Sequence, residues 1–178
     1  LTVAAGAAGW GELRPVPMGS GCRCIKDGAW LVYDSVTGRV YGAKGNKTYD
    51  FLAYDPVRDT WHIRTDCPAG SECKPVCGGA AACVDDNGVI YATKGNNTTG
   101  FHCYLTTQNA WRQLPDVPLG TQAKKCKGGT DVVFVPGGAA GYVYLLKGGV
   151  RDFLRYDIGA GVWQAMPDAP VGNMYKWD

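Results

Sequence analysis

Histidine is scarce in this 178-residue chain: only His62 and His102 occur, and neither sits at a repeated position, so both are expected at the surface and not as ligands. No Gly-x-Ser-x-Gly elbow is present, and no Cys-x-x-Cys or Cys-x-x-Cys-His spacing. These absences remove the common signatures of hydrolases, zinc sites and haem attachment. Catalytic residues, metal ligands and cofactors are therefore not assigned. Charge of one sign is also lacking. Lys plus Arg total 18 against 16 Asp plus Glu, a net of +2, which excludes the basic stripe of a nucleic-acid binder. No apolar run reaches the ~18 residues of a membrane helix. The small apolar start, Leu1 to Gly9, has no charged n-region and is not read as a signal peptide, although one could already have been removed. Disorder is excluded in turn, because 46% of residues are apolar and only 19% charged.

Glycine (26), proline (10), tyrosine (10) and tryptophan (6) are abundant, the composition of short strands, tight turns and aromatic packing. Four tryptophans open one pattern, Trp, six residues, Pro, one residue, Gly: Trp10/Pro17/Gly19, Trp61/Pro68/Gly70, Trp111/Pro118/Gly120 and Trp163/Pro170/Gly172. Their spacing of 50 to 52 residues is a propeller-blade period. Between them a second pattern recurs: Tyr41, Lys44-Gly45-Asn46, Phe51, Tyr54; then Tyr91, Lys94-Gly95-Asn96, Phe101, Tyr104; then Tyr144, Lys147-Gly148-Gly149, Phe153, Tyr156. Asp27-Gly28, Gly78-Gly79 and Gly128-Gly129 open the copies.

Each copy reads as four short antiparallel strands. The first runs from Ala29 to Tyr33, Ala80 to Val84 and Thr130 to Val135; the second covers Val40 to Lys44, Val89 to Lys94 and Tyr142 to Lys147. The third lies around Phe51 to Tyr54, Phe101 to Leu105 and Phe153 to Tyr156, and the fourth starts at the tryptophan and ends before the proline, which cannot donate to a ladder. Asn87-Gly88 suits a tight hairpin with both central residues at positive φ. Trp61, Trp111 and Trp163 are expected in the packing between blades, with Trp30 and Trp177 sharing that role.

This order of Gly-Gly, Tyr, Tyr-Asp and Trp resembles a kelch-type β-propeller, and the stretches from Val40 to Trp61 and from Ile90 to Trp111 resemble kelch-like repeats of secreted bacterial proteins. The resemblance implies an all-β fold of four-stranded antiparallel blades. Residues 1–19 would hold the last strand of a preceding blade (Trp10 to Arg14), residues 20–70, 71–120 and 121–172 three blades, and 173–178 the start of a further repeat. Closed propellers have four to eight blades, so three imply part of a larger ring, completed by self-association or by another chain. The copper oxidases built on such propellers need two His, a Tyr crosslinked to Cys and a second Tyr, and no such set is recognisable. Kelch-type propellers host unrelated activities. The expected role is a non-catalytic binding, adhesion or assembly module; the alternatives are a carbohydrate-binding propeller and an axial-site enzyme, lyase or oxidase.

The eight cysteines, Cys22, Cys24, Cys67, Cys73, Cys77, Cys83, Cys103 and Cys126, read as disulfide candidates and imply a secreted, extracellular or periplasmic protein. Cys22, Cys24, Cys73, Cys77 and Cys126 precede innermost strands, which predicts a bridge from the Cys22/Cys24 segment to the Cys73/Cys77 segment. Lys26, Lys124, Lys125 and Lys127 fall in the same axial segments as candidate ligand contacts. Lys44, Lys94 and Lys147 are expected to lay their stems over aromatics, with the ammonium near a carboxylate or carbonyl. Asn46, Asn96 and Asn97 begin glycosylation sequons that double as turn residues.

Overall fold

The computed structural model describes residues 9–171. Twelve strands form three separate four-stranded sheets, each antiparallel and in chain order. Blade 1 contains β1 (Trp30–Asp34), β2 (Arg39–Ala43), β3 (Phe51–Asp55) and β4 (Thr60–Ile63). Blade 2 contains β5 (Ala80–Val84), β6 (Val89–Lys94), β7 (Phe101–Leu105) and β8 (Ala110–Gln113). Blade 3 contains β9 (Asp131–Val135), β10 (Tyr142–Leu146), β11 (Phe153–Asp157) and β12 (Val162–Ala165). The inner strands β1, β5 and β9 pack side by side, which sets the blades around one axis. This is a propeller-like arrangement of three blades.

Strand alternation gives each blade a leading face toward the preceding blade and a trailing face toward the next. The registers align equivalent positions: Val32–Tyr41–Ala53 in blade 1 matches Cys83–Tyr91–Cys103 in blade 2. One core therefore lies between blades 1 and 2, with Tyr41, Phe51 and Ala53 against Ile90 and Tyr104. The second lies between blades 2 and 3, with Tyr91, Phe101 and Cys103 against Val143, Leu154 and Tyr156. In both, a third-strand Phe enters the Tyr–Trp pair of the next blade. Phe51 lies 4.7 Å from Tyr104 and 4.9 Å from Trp111; Phe101 lies 5.2 Å from Tyr156 and 4.9 Å from Trp163. Such edge-on and tilted pairs add about 0.5–1.5 kcal/mol each beyond burial.

The Gly step explains the close approach. Gly28 (φ 82°) and Gly79 (φ 87°) adopt a conformation that side chains avoid, and a Cβ on either would collide with the backbone of Cys77 or Lys127 in the next lead-in segment. The turn chemistry differs from expectation at Asn87. Only Gly88 has positive φ there, because the Asp85 carboxylate caps the turn by accepting from Asn87 N–H (2.9 Å) and Val89 N–H (2.8 Å). Consecutive positive φ values occur instead at Asn46-Lys47 and Asn96-Asn97. Residues 9–17 contain no strand, so Trp10 to Arg14 does not form the expected one. Arg14 nevertheless gives its carbonyl to Trp61 Nε1, as Thr65 does to Trp111 and Pro115 to Trp163. Trp177 and the 173–178 segment lie outside the described residues.

Candidate functional site

The segment leading into each blade makes the same turn. Cys22, Cys73 and Ala123 bond back from N–H to the carbonyls of Gly19, Gly70 and Gly120. A lysine at or just past the end of the blade's second strand reaches up to it. Lys44 bonds the Met18 carbonyl and pairs with Asp50 at 3.0 Å; Lys147 bonds the Pro118 carbonyl (2.6 Å) and pairs with Asp152 at 3.1 Å. All four side chains are buried. The expected carbonyl and carboxylate contacts of Lys44 and Lys147 are therefore present. Burial opposes ionisation of Asp50, but the Lys44 ammonium, Gly21 N–H and Ser20 hydroxyl outweigh it and hold the carboxyl below its ordinary range.

Blade 2 departs from this plan. Lys94 is equally buried and bonds the Ala69 carbonyl, yet Gly100 stands where Asp50 and Asp152 stand. His102 occupies the leading-face position of Leu52 and Leu154, opposite Ala92. It was expected at the surface but is 1% exposed, because the Leu52/Leu154 position faces the neighbouring blade. Gln113, opposite it in the ladder, is the side chain within hydrogen-bonding range of the ring, but neither ring nitrogen makes a well-aligned bond. Burial and the neighbouring Lys94 charge push the imidazole down to about 4, and burial lowers the Lys94 ammonium as well. His62 is exposed, as expected.

All eight cysteines are free thiols in the structure, so the bridge expected between the Cys22/Cys24 and Cys73/Cys77 segments is not formed here. Cys83 and Cys103 cannot join each other, since Tyr91 lies between them in the ladder and two strand spacings are about 9.5 Å. Cys67 fills the buried position that Val117 fills one repeat later, and Cys126 bridges to Thr98 as Val76 does to Thr48. These are packing roles. Cys22, Cys24 and Cys73 are exposed.

Lys125 pairs with Glu72 at 2.8 Å, and Glu72 in turn accepts from Thr99 N–H. Lys26 and Lys124 are exposed, while Lys127 lies beside Gly149 on a cleft of about 630 Å³ at the open end of blade 3. Asn46 and Asn96 spend their side-chain amides on the Cys24 and Pro75 carbonyls, at 2.8 and 3.0 Å. Of the three sequon asparagines, Asn97 is the exposed one. Among the described residues, no three His, Cys, Asp or Glu side chains gather as a metal-ligand set.

Both end faces of the array expose apolar side chains. On the leading face of blade 1, Leu31, Tyr33 and Ile63 are exposed, and a mostly apolar cleft of about 410 Å³ runs past Ile25, Leu31, Leu52 and Trp61. On the trailing face of blade 3, Val133, Val135 and Leu146 are exposed. Gly129 has the positive φ of Gly28 and Gly79, but among the described residues a Cβ there would meet Gly148 of its own blade and no following lead-in segment. Blade 3 also places charges where its siblings are apolar: Asp131 replaces Trp30 and Ala81, and Arg155 replaces Ala53 and Cys103. The Arg155 guanidinium lies 4.5 Å over the Tyr142 ring.

A solved structure titled "Structure of YjhT" superposes with a TM-score of 0.57 at 14% identity. The likeness is one of fold. It covers 79% of this chain and 51% of that one, so the chain spans about half the length of the matched structure. No protein-family profile matches the chain, and neither does any curated protein.

Proposed function

We propose that this chain is a non-catalytic assembly module, a kelch-type blade array that docks blades of a second copy onto its two end faces. One observation carries the reading: the ends are complementary halves of the junction used twice inside the chain. Among the described residues, Phe153 stacks on its own Tyr144, at 5.5 Å, and meets no Tyr–Trp pair of a following blade. At the other end, Tyr54 and Trp61 form such a pair, 4.9 Å apart, that receives no Phe among the described residues. Two copies joined head to tail at both ends bring six blades, within the four to eight of closed propellers, and leave no face open. The share of the matched structure that the chain covers is compatible with half a ring.

The test is the native mass of the 178-residue chain, with two surface variants. Twice 19.0 kDa is expected for the wild type. Leu31→Glu and Val133→Glu each place a charge on one end face and are expected to return a folded single-chain species. A wild type that stays at 19.0 kDa across micromolar concentrations defeats self-assembly.

A further inference from the structure

The end faces differ from the internal junctions in charge as well as in exposure. Strand alternation places Arg155 on the open side of blade 3, in the row Val133–Tyr144–Arg155. Its counterparts are Ala53 and Cys103, and each shares a core cluster with a tyrosine of the next blade, Tyr104 or Tyr156. The residue two before the tryptophan of that next blade is Asn109 or Gly161. Both internal junctions are therefore neutral at this pair of positions, Ala53 with Asn109 and Cys103 with Gly161. The two open ends carry opposite charges there, Arg155 on blade 3 and Asp59 on blade 1.

Blade 1 already holds the receiving group. Tyr54 donates to Asp59 Oδ1 at 2.6 Å, as Tyr104 does to Asn109 Oδ1. Arg14 N–H donates to the same Asp59 oxygen at 2.9 Å, as Thr65 N–H does to Asn109. Inside the chain, an arginine of the preceding blade completes this group: Arg64 Nε donates to the Tyr104 hydroxyl at 3.2 Å. Over blade 1 the Arg64 phase is taken by Leu13, so Tyr54 and Asp59 lack that arginine. Asp59 Oδ2 accepts no hydrogen bond among the described residues. The Tyr54 hydroxyl and Arg14 N–H hold the carboxyl below its ordinary range, so it is ionised at neutral pH. At the other end, the Arg155 guanidinium lies over Tyr142 and bonds Gln164, while its Nε is buried without an acceptor.

We propose that Arg155 of one copy pairs with Asp59, beside Tyr54, of a second copy, and that this charge pair selects the junction between the chain ends. The proposal rests on the assembly reading and names the contact that gives it specificity. A two-fold ring makes the pair twice. Docked on an internal type of face, with Asn109 or Gly161 opposite, Arg155 would be covered without a counterion, which disfavours the wrong pairing.

Dimer dissociation constants of the 178-residue chain and its variants, from sedimentation equilibrium, test the pair. Arg155→Glu sets a like charge against Asp59 and is expected to weaken dimerisation about 100-fold. Asp59→Asn copies blade 2 and is expected to weaken the wild-type dimer about tenfold. On the Arg155→Glu background the same substitution removes a repulsion and is expected to strengthen dimerisation instead. A change of the same sign and size in both backgrounds overturns the pair. Should Arg155→Glu fail to fold, Arg155→Ala, which copies Ala53 of blade 1, takes its place. Asp59→Asn is then expected to have no further effect, and an undiminished loss overturns the pair. A wild type that forms no dimer overturns the assembly reading with it, whereas a wild-type dimer indifferent to these substitutions overturns the pair alone.

Discussion

The same strand positions behave differently inside the array and at its ends. At the two internal junctions, Phe51 and Phe101 are fully buried, and each enters the next blade's Tyr–Trp pair. At the outer end, Phe153 is only half-buried, and Val133 is 56% exposed where its counterpart Cys83 is 8% exposed. A blade of this kind buries one strand face by borrowing its neighbour's, so its stability lives in the junctions more than in the sheet. The Gly step makes the same point in the backbone: Gly28 and Gly79 answer a neighbouring blade's backbone, while Gly129 has the same φ with no such neighbour among the described residues.

The sharpest way to break this comparison is to truncate the same phenylalanine twice. Phe101→Ala is expected to cost about 3–5 kcal/mol, because it opens a cavity among Tyr91, Tyr156 and Trp163. Phe153→Ala should cost about 1–2 kcal/mol, since its side chain is only half-buried. Urea unfolding measures both, on a Val133→Glu background so that association does not contribute. Equal losses would mean that the junction is not where the stability resides.

The polar clamps run the comparison in reverse, for here the outer blades are complete and the middle one is not. Asp50→Asn recreates in blade 1 the unpaired lysine of blade 2 and is expected to cost about 3 kcal/mol, as removal of one partner of a buried pair does. The sign of the pH dependence follows from the Asp50 carboxyl lying below its ordinary value of 3.8 in the folded protein. Its contribution is full above that value and is lost as the pH falls through the lower folded one. Wild-type stability should therefore drop below about pH 4 more steeply than that of Asp50→Asn. Superimposable pH profiles would show that the clamp contributes nothing.

Repetition made the blades legible, since three copies of one phase pattern place strands better than propensity in any one of them. β5, β6 and β7 match the expected residues, and the ends of the other first, second and third strands move by a single position, whereas β4, β8 and β12 stop four residues short of the expected end before the proline. What repetition hid was the copy that departs. His102 looked solitary because no other repeat has a histidine, yet aligning Leu52, His102 and Leu154 puts it on a buried face. The clamps were also readable: Asp follows the repeated lysine by six residues in blade 1 and by five in blade 3, and Gly100 breaks the rule. The turn at Asp85 was not, because Asn-Gly is a strong local signal and the upstream carboxylate that overrides it acts through hydrogen bonds to the backbone. Cysteine count misled in a further way, since it does not distinguish a thiol that fills a core position from one awaiting a partner.

The smallest expected effect carries the comparison into thiol chemistry. Cys67, Cys83, Cys103 and Cys126 belong to the junctions, and burial pushes their thiols up, Cys126 to about 11. A buried, protonated thiol reacts slowly, because the thiolate is the nucleophile. Cys22, Cys24 and Cys73 stand on exposed lead-in turns. Timed alkylation of the native chain under reducing conditions, read by peptide mass, should therefore label these three first and leave the four junction thiols until unfolding. Early labelling of Cys83 or Cys103 would mean that the junction between blades 2 and 3 opens far more readily than its aromatic packing implies. Repeating the map without reductant separates packing from bonding: resistance of Cys22, Cys24 and Cys73 that reductant lifts is the signature of a covalent staple between the two lead-in segments.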